Sequence, residues 1–289
     1  MIRYFARRAG HGLLMLFGVS ILLFLLFQAA PGDFLSEMKM NSQISPETIT
    51  LLRAHYGLDQ PLPVRYWQWL KSSARGDFGY SFAYNAPAST LLWPRARNTL
   101  LLSVPALLIS WLIAVPLGVL MGAYKPIEAF LEPFVSFARY LPASAFIPLL
   151  ILWAGIGELQ KLLVIFIGSV FQIILMIAVN VGNTRRDLVE AAYTLGAGDS
   201  GIIRRVLLPS SAPEIAEILR LVLGWAWTYV IVAELIGSSS GIGHMITDSQ
   251  ALLNTGQIIF GIIVIGLIGL VSDFLFKAFN AWLFPWRLA

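Results

Sequence analysis

The chain has 289 residues, of which 57% are hydrophobic and only 12% are charged, with a formal net charge of +4 and a mean hydropathy of +0.75. This composition excludes an ordinary soluble domain and indicates a polytopic protein that lies in the lipid bilayer. The lack of cysteine excludes disulfides, thiolate metal sites and thiol nucleophiles. Because the basic residues cluster in short loops, membrane topology explains the positive charge better than nucleic acid binding does.

Apolar windows of about 20 residues predict about six transmembrane helices. They lie near residues 11–30, 99–123, 140–156, 161–180, 214–236 and 257–283. The first window follows three arginines but has no small-residue cleavage site, so we interpret it as a retained helix rather than a signal peptide. The third contains Pro142 and Pro148 and is expected to be tilted or broken. The stretch before it, 126–140, mixes charges with phenylalanines and is expected to lie at the membrane interface.

The lysines and arginines of the short loops predict the orientation, because such residues accumulate on the cytoplasmic side. Cytoplasmic N- and C-termini place Lys125, Arg139, the Arg185–Arg186 pair and the Arg204–Arg205 pair together in the cytoplasm. The predicted organisation is an N-terminal transmembrane helix at 1–30, an extracytoplasmic segment at 31–98 and a membrane core at 99–289. The extracytoplasmic segment is polar and punctuated by glycine and proline, and its tryptophans and tyrosines are expected to fold it onto the membrane core. This favours a structural cap over a docking surface for another protein.

Residues 184–209 form a polar island between two apolar windows, and their pattern predicts two short amphipathic helices around a glycine turn. In the first helix, Thr184 and Asp187 resemble a capping box. Leu188, Ala191, Ala192 and Leu195 fall on one face. Gly196 stands where a helix commonly ends in a residue of positive φ.

The second helix of the island is predicted to begin with Asp199 or Ser200 as its N-cap. Its apolar stripe consists of Ile202, Ile203, Val206 and Leu207. Pro209 is expected to end it, because the proline ring cannot continue the hydrogen-bond ladder.

Catalytic and metal chemistry has little support in this chain. No G-x-x-x-x-G-K-[ST] loop occurs, so we predict that the chain does not hydrolyse ATP. The histidines at 11, 55 and 244 have no metal-ligand spacing, and no serine nucleophile elbow is present. We therefore predict no catalytic residue and no metal ligand.

Ionisable residues near the apolar windows are the remaining functional candidates, because a charge in lipid requires a partner or water. Arg220 lies three residues after Glu217, a spacing that favours an ion pair on one helix face. Glu234 and Asp273 could each line an aqueous path or close a helix contact, and the sequence leaves both readings open.

The fifth window carries GWAWTY, which mixes aromatic rings with hydroxyl groups in a helix interior. A path for a polar solute requires such residues, although packing and interfacial roles explain tryptophans equally well. The candidate translocation path consists of Trp225, Trp227, Thr228, Tyr229 and Glu234. In the last window, glycines at 261, 266 and 269 favour close helix packing.

The polar island resembles the EAA motif of binding-protein-dependent ATP-binding cassette (ABC) importer permeases over EAAYTLGAGDSGIIRRVLLP, residues 190–209. The positions in register are Glu190, Ala191, Ala192, Gly196, Ile203, Leu208 and Pro209. The resemblance implies an all-α type I ABC importer permease fold, in which residues 184–209 form a cytosolic coupling loop that docks on a separate ATPase subunit.

The same resemblance implies the partners. They are ABC ATPase subunits that carry ATP and magnesium, a second permease subunit, identical or related, and an extracytoplasmic solute-binding protein. The chain itself is then a transporter subunit of the bacterial plasma (inner) membrane, with no cofactor of its own and no nucleic acid partner.

The two halves of the chain resemble different branches of this family. From about residue 140 onward, PASAFIPLLILWAGIGELQK and LGWAWTYVIVAELIG are similar to nitrate, sulfonate and taurine permeases. The first 122 residues, with GLDQPLPVRYWQWL and GDFGYSF, resemble B-type subunits of dipeptide, oligopeptide and nickel permeases. A small organic or inorganic anion and a peptide are thus both implied as solutes. The alternative is an ATP-independent ion-coupled transporter or channel that uses Glu234 and Asp273 as ion sites.

Overall fold

The computed structural model describes residues 45–55, 57, 59–77, 80–81, 86–237, 241–251 and 255–288, together with 10, 14–15, 17–22, 24–25 and 28. Within this part of the chain, the only strands are Tyr80–Ser81 and Ala86–Pro87, which pair antiparallel. The predicted first transmembrane helix falls partly outside the described residues, and its described positions are helical.

Helices account for nearly all of the described residues. Numbered in chain order, they are α1 (Pro46–His55), α2 (Leu62–Ala74), α3 (Ala88–Ala123), α4 (Lys125–Tyr140), α5 (Ile147–Ala154), α6 (Glu158–Gly182), α7 (Arg186–Thr194), α8 (Asp199–Ile202), α9 (Leu208–Gly237), α10 (Ile242–Ala251) and α11 (Thr255–Leu283). Short 3₁₀ segments occupy Ala143–Phe146 and Pro285–Leu288, and a π-helical segment occupies Ile203–Leu207.

Four described helical segments are long and apolar enough to cross a membrane: Trp93–Ala123, Glu158–Gly182, Asp199–Ile236 and Ile258–Leu283. They correspond to the predicted windows at 99–123, 161–180, 214–236 and 257–283. A fifth candidate is a bent pair, Lys125–Tyr140 with Ala143–Ala154, whose halves meet at 84°. The chain is therefore an all-α, multi-pass membrane protein, as its composition predicts.

The chain divides into two compact units, of which the first comprises Met1–Arg97 and Ser240–Leu267. In this unit, Tyr66 of α2 packs edge-on against the rings of Phe17 and Phe24. The Tyr66 hydroxyl also lies 2.8 Å from Ser20 Oγ. The extracytoplasmic segment of the prediction thus contributes a helix that contacts the predicted first helix.

The second unit, Asn98–Ser239 with Ile268–Ala289, contains the main core and is called the core unit below. Its helices α3 and α6 approach closely at Gly118 and Gly122. A Cβ atom at Gly118 would lie 2.8 Å from the Ile174 carbonyl oxygen, and one at Gly122 would lie 2.6 Å from that of Ala178. Small residues four positions apart permit such contact between membrane helices. The sequence did not predict that Gly118 and Gly122 are packing glycines. It did predict this for Gly266, but no atom of the described residues lies within 4 Å of the position of a Cβ atom there.

The third predicted window, at 140–156, is broken as its prolines predict, and its helical part follows α4 across the 84° bend. Helix α4 ends at Tyr140, and Leu141 is extended with φ −76° and ψ 125°. Since a residue before proline disfavours the α conformation, Pro142 explains why the helix stops there. Val135 of α4 is buried in the same cluster as Val170 and Ile174 of α6. The opposite side of α4 exposes the rings of Phe130, Phe134 and Phe137, and the interfacial location of 126–140 stays a prediction.

The second helix of the polar island does not end at Pro209, contrary to the expectation from sequence. The segment Asp199–Ile236 is one continuous helical run, in which the π-helical turn Ile203–Leu207 directly precedes Leu208 and Pro209. In a regular α-helix the proline ring would clash with the carbonyl group four residues earlier. The wider π turn accommodates the ring and lets the helix continue.

Candidate functional site

The first half of the coupling loop, residues 184–209, is helix α7. Its N-cap is Arg185, and no side chain caps it, so the predicted capping box of Thr184 and Asp187 is wrong. Thr184 Oγ1 instead lies 3.0 Å from Ser211 Oγ, which ties the start of the loop to α9. Arg185 Nε donates to Asp187 at 3.1 Å. This hydrogen bond holds the pKa of Asp187 below its ordinary value, so the pair is charged at neutral pH.

One side of the coupling loop is anchored in the hydrophobic core. Ile202 and Leu207 are buried there, and Val189, Ala192 and Val206 pack against the same cluster. The apolar stripe predicted for the second helix is confirmed, because Ile203 also packs on this cluster. The loop is consequently fixed to the ends of α6 and α9, since Val181 and Ile215 belong to the cluster as well.

The opposite side of the loop exposes apolar surface. Leu188 is 41% exposed and Leu195 is 88% exposed, and Ala191 beside them is exposed as well. The spacing of these three residues places them on one helix face. We call Leu188, Ala191, Leu195 and Gly196 the docking patch, after the ATPase docking that the EAA resemblance implies for this loop. An exposed apolar patch that is rigidly attached to a core is typical of a protein interaction site.

The turn between the two helices has the geometry that the sequence predicts. Gly196 has φ 80°, and its amide donates to the Tyr193 carbonyl at 2.9 Å. The amide of Ala197 donates to the Ala192 carbonyl at 3.0 Å, which completes a Schellman motif. No atom lies within 4 Å of the position that a Gly196 side chain would occupy. The turn is therefore open at the Gly196 side-chain position among the described residues.

A side-chain contact closes the same turn. The Tyr193 hydroxyl donates to Asp199 Oδ1 at 3.0 Å and so connects α7 to the start of α8. This hydrogen bond raises the pKa of the tyrosine. The N-cap of α8 is Gly198, so the prediction that Asp199 or Ser200 caps this helix is wrong.

The residues of the EAA resemblance all lie in this loop, with different exposures. Glu190, Ala191, Gly196 and Pro209 are exposed. Ala192, Ile203 and Leu208 pack against the core. The motif thus combines residues that anchor the loop with residues that face outward.

A second feature of the core unit is a cavity of about 330 Å³ at the bend of the broken helix pair. Its walls come from the end of α4, the linker to α5, the middle of α6 and α9. Thr228 and Tyr229 of the predicted path line it. The ring of Tyr229 covers Gly168, where a Cβ atom would lie 2.8 Å from Tyr229 Cδ2.

The other predicted path residues lie outside this cavity. Trp227 is buried, and its Nε1 donates to Ser272 Oγ of α11 at 3.0 Å. Glu234 is also buried and accepts a hydrogen bond from Thr99 Oγ1 of α3 at 2.6 Å. Trp225 is exposed, one helical turn before Thr228 and Tyr229. Trp227 and Glu234 therefore connect helices in this structure.

The ion pair predicted within α9 is confirmed and extended. Arg220 Nε donates to Glu217 Oε2 at 3.0 Å, and Nη1 of the same arginine donates to Asp273 of α11. Both carboxylates that the sequence left open, Glu234 and Asp273, thus make contacts between helices.

Four polar residues of the cavity were missed by sequence reasoning: Arg139, Tyr140, Ser144 and Gln172. Arg139 lines the cavity together with Gly168 and Phe171, which lie near the middle of the 25-residue helix α6. The proline pair Pro142 and Pro148 was the available signal, because broken helices at membrane depth line cavities. No group of three or more metal-ligating side chains occurs within the described residues.

Comparison with known proteins places these features in context. The family model described as "Binding-protein-dependent transport system inner membrane component" matches residues 114–287, and a model for the N-terminal part of such membrane components matches residues 1–103. The taurine transport system permease protein TauC of Escherichia coli is 31% identical over 196 residues, which are 68% of this chain and 71% of that protein.

Two further similarities concern a relative and a fold. The putative aliphatic sulfonates transport permease protein SsuC of Bacillus subtilis is 35% identical over 171 residues, 59% of this chain and 62% of that protein. A chain of the MetNI methionine ABC transporter, crystallised in inward-facing conformations, shares the fold with a TM-score of 0.55. It is 21% identical, and the match covers 65% of this chain and 95% of that chain.

Proposed function

The chain belongs to the family of binding-protein-dependent transport system inner membrane components, and on this premise we propose that it is the permease subunit of an ABC importer whose coupling loop docks on a separate ATPase. The observation that carries the proposal is the two-sided construction of the loop. Ile202 and Leu207 anchor it in the core, while Leu188 and Leu195 are exposed.

This construction is suited to transmitting a force. A partner that moves the docking patch also moves the ends of α6 and α9, because the loop is packed on both. For the two proteins to be coupled, the loop must bind the ATPase with different free energies in its open and closed states. ATP and magnesium belong to the partner in this scheme, and this chain supplies no catalytic residue.

The remaining partners follow from the same proposal. A second permease subunit, identical or related, completes the pore, and an extracytoplasmic binding protein delivers the solute. Both termini and the coupling loop lie in the cytoplasm, on the side of the ATPase. The arginines at 185, 186, 204 and 205 agree with this orientation, because such loops are rich in basic residues.

A small organic or inorganic anion is the solute that the relatives favour. TauC and SsuC are permeases for taurine and aliphatic sulfonates. A peptide, suggested by the first 122 residues, is the second candidate. The ion-coupled alternative depended on Glu234 and Asp273, and these carboxylates contact Thr99 and Arg220 respectively.

The test is reconstitution of the complete system. The tagged chain is co-expressed with a candidate ATPase subunit and a candidate binding protein from the same organism, purified, and placed in liposomes. We expect the ATPase to copurify, and we expect ATP-dependent uptake of ethanesulfonate or nitrate when the binding protein is present. Uptake by this chain alone, without ATP, would refute the importer. Uptake of a dipeptide instead of either anion would refute the solute class and leave the importer intact.

A further inference from the structure

The cavity at the bend contains a cation in an unusual place. Arg139 is half-buried in its wall, near the middle of α6. Its neighbours Gly168 and Gln172 are the eleventh and fifteenth residues of that helix, about 15–21 Å along it at 1.5 Å per residue. Helix α6 is long and apolar enough to cross a bilayer core of about 30 Å, so its central residues place one wall of the cavity within a candidate membrane span. A charge beside such a span requires a partner, water or a function.

Within the part of the chain that the structure describes, no carboxylate forms an ion pair with Arg139. Its Nη2 donates to the Tyr140 hydroxyl at 3.2 Å, and its guanidinium carbon lies 4.9 Å from the centre of the Tyr140 ring. Its Nε is buried and has no hydrogen-bond partner. No carboxylate is present among the residues that line the cavity.

Two other cations of the core unit that are largely shielded from solvent have carboxylate partners. Lys161, only 2% exposed, pairs with Glu158 at 2.8 Å. Arg220 pairs with both Glu217 and Asp273. Lys161 and Arg220 thus each pair with a carboxylate of the core unit, whereas Arg139 lines a cavity that has no carboxylate in its wall.

The rest of the cavity wall supplies neutral hydrogen-bonding groups. Ser144, Gln172, Thr228 and Tyr229 contribute hydroxyl and amide groups from three separate segments. A guanidinium group presents a planar fork of N–H donors that matches two oxygens of one oxoanion. The volume of about 330 Å³ holds a solute of a few heavy atoms with some water.

We propose that this cavity is an oxoanion subsite of the translocation path, in which Arg139 binds the sulfonate, carboxylate or nitrate group of a small solute. The proposal rests on the transport function proposed above and adds the residue that selects for negative charge. The hydroxyl and amide groups of the wall then bind the remaining oxygens.

The first experiment measures uptake by the reconstituted system. For the anion that wild type transports, Arg139→Gln should reduce uptake at subsaturating solute by about 10- to 100-fold, the range expected for loss of a charge-assisted hydrogen-bond pair. Arg139→Lys should recover part of it. The matched control is Lys125→Gln, which removes one positive charge from the exposed start of the same helix. ATPase copurification should be unchanged in all three variants, which separates loss of the subsite from loss of folding.

The second experiment needs neither a known solute nor transport. Because the chain contains no cysteine, Thr228→Cys introduces one unique thiol in the cavity wall. Its rates with an anionic and a cationic methanethiosulfonate reagent are compared with and without Arg139→Gln. We expect loss of the arginine to lower the anionic-to-cationic rate ratio about fivefold or more. Ser169→Cys, at a buried position of α6, serves as the unreactive control.

The outcomes separate the two proposals. A rate ratio that does not respond to Arg139→Gln, or normal anion uptake by that variant, would overturn the subsite while the importer stands. A ratio that responds in a chain that shows no ATP-dependent uptake would support an anion-attracting cavity at Arg139 but overturn its role in a translocation path, together with the transport function.

Discussion

Gly196 offers the sharpest test of the coupling loop, because its conformation and its surroundings make separate predictions. Its φ of 80° lies in the left-handed region, which costs a non-glycine residue about 1–2 kcal/mol. No atom of the described residues beyond its chain neighbours lies within 4 Å of the Cβ position, so the methyl group of an alanine meets no clash with them. Gly196→Ala should therefore strain the turn without disturbing the core.

The expected magnitude follows from these two facts. A strain of about 1–2 kcal/mol reduces the population of the native turn by about 5- to 30-fold when the turn is free to rearrange. The apparent affinity for the ATPase falls by up to the same factor, because only the native turn presents the docking patch. Gly196→Asp adds a charge and a larger side chain at the patch, and we expect it to abolish transport while the protein still inserts.

The measurement is ATPase binding to the purified variant in detergent, followed by uptake in liposomes. Gly198→Ala is the matched control, since Gly198 has φ −80° and no atom within 4 Å of its side-chain position. Gly196→Asn separates strain from steric contact, because asparagine tolerates the left-handed region. Equal losses in Gly196→Ala and Gly198→Ala would refute the strain argument, and normal uptake by Gly196→Asp would remove the coupling assignment.

Three further predictions concern packing and connection. Gly122→Ala places a Cβ atom 2.6 Å from a backbone oxygen and should lower the free energy of unfolding by about 1–3 kcal/mol. The measurement is the thermal midpoint of unfolding in detergent, which should fall. Gly224→Ala is the control, because no atom lies within 4 Å of its Cβ position among the described residues, and it should leave the midpoint unchanged. Arg220→Gln should lower the free energy of unfolding by about 1–3 kcal/mol, because both Glu217 and Asp273 lose their cationic partner. Asp273→Asn removes only one of these two ion pairs, so a fall in thermal midpoint for Arg220→Gln that is no larger than for Asp273→Asn would contradict this. Tyr193→Phe removes the hydrogen bond to Asp199 but keeps the exposed ring, and should weaken ATPase binding by about 2- to 10-fold, with unchanged binding as the contrary result.

Local backbone chemistry made part of the coupling loop predictable. The positive φ of Gly196 follows from its place after the last turn of an amphipathic helix. The caps were not predictable in the same way. Thr184 bonds to Ser211 and Asp199 bonds to Tyr193, because another side chain offered each of them a better partner than the local amide groups.

The helices that cross the membrane were determined by the sequence itself, since lipid admits only long apolar segments whose backbone groups are satisfied internally. Because of that constraint, the composition and the apolar windows predict the membrane helices, and the polar residues between two windows predict the coupling loop. The tertiary structure alone decided where the polar residues inside these segments point. It placed Glu234 in a contact with Thr99 and Arg139 in a cavity wall. Both are charged residues near apolar windows, and only the packing of neighbouring helices determines whether such a charge meets a partner or an open space.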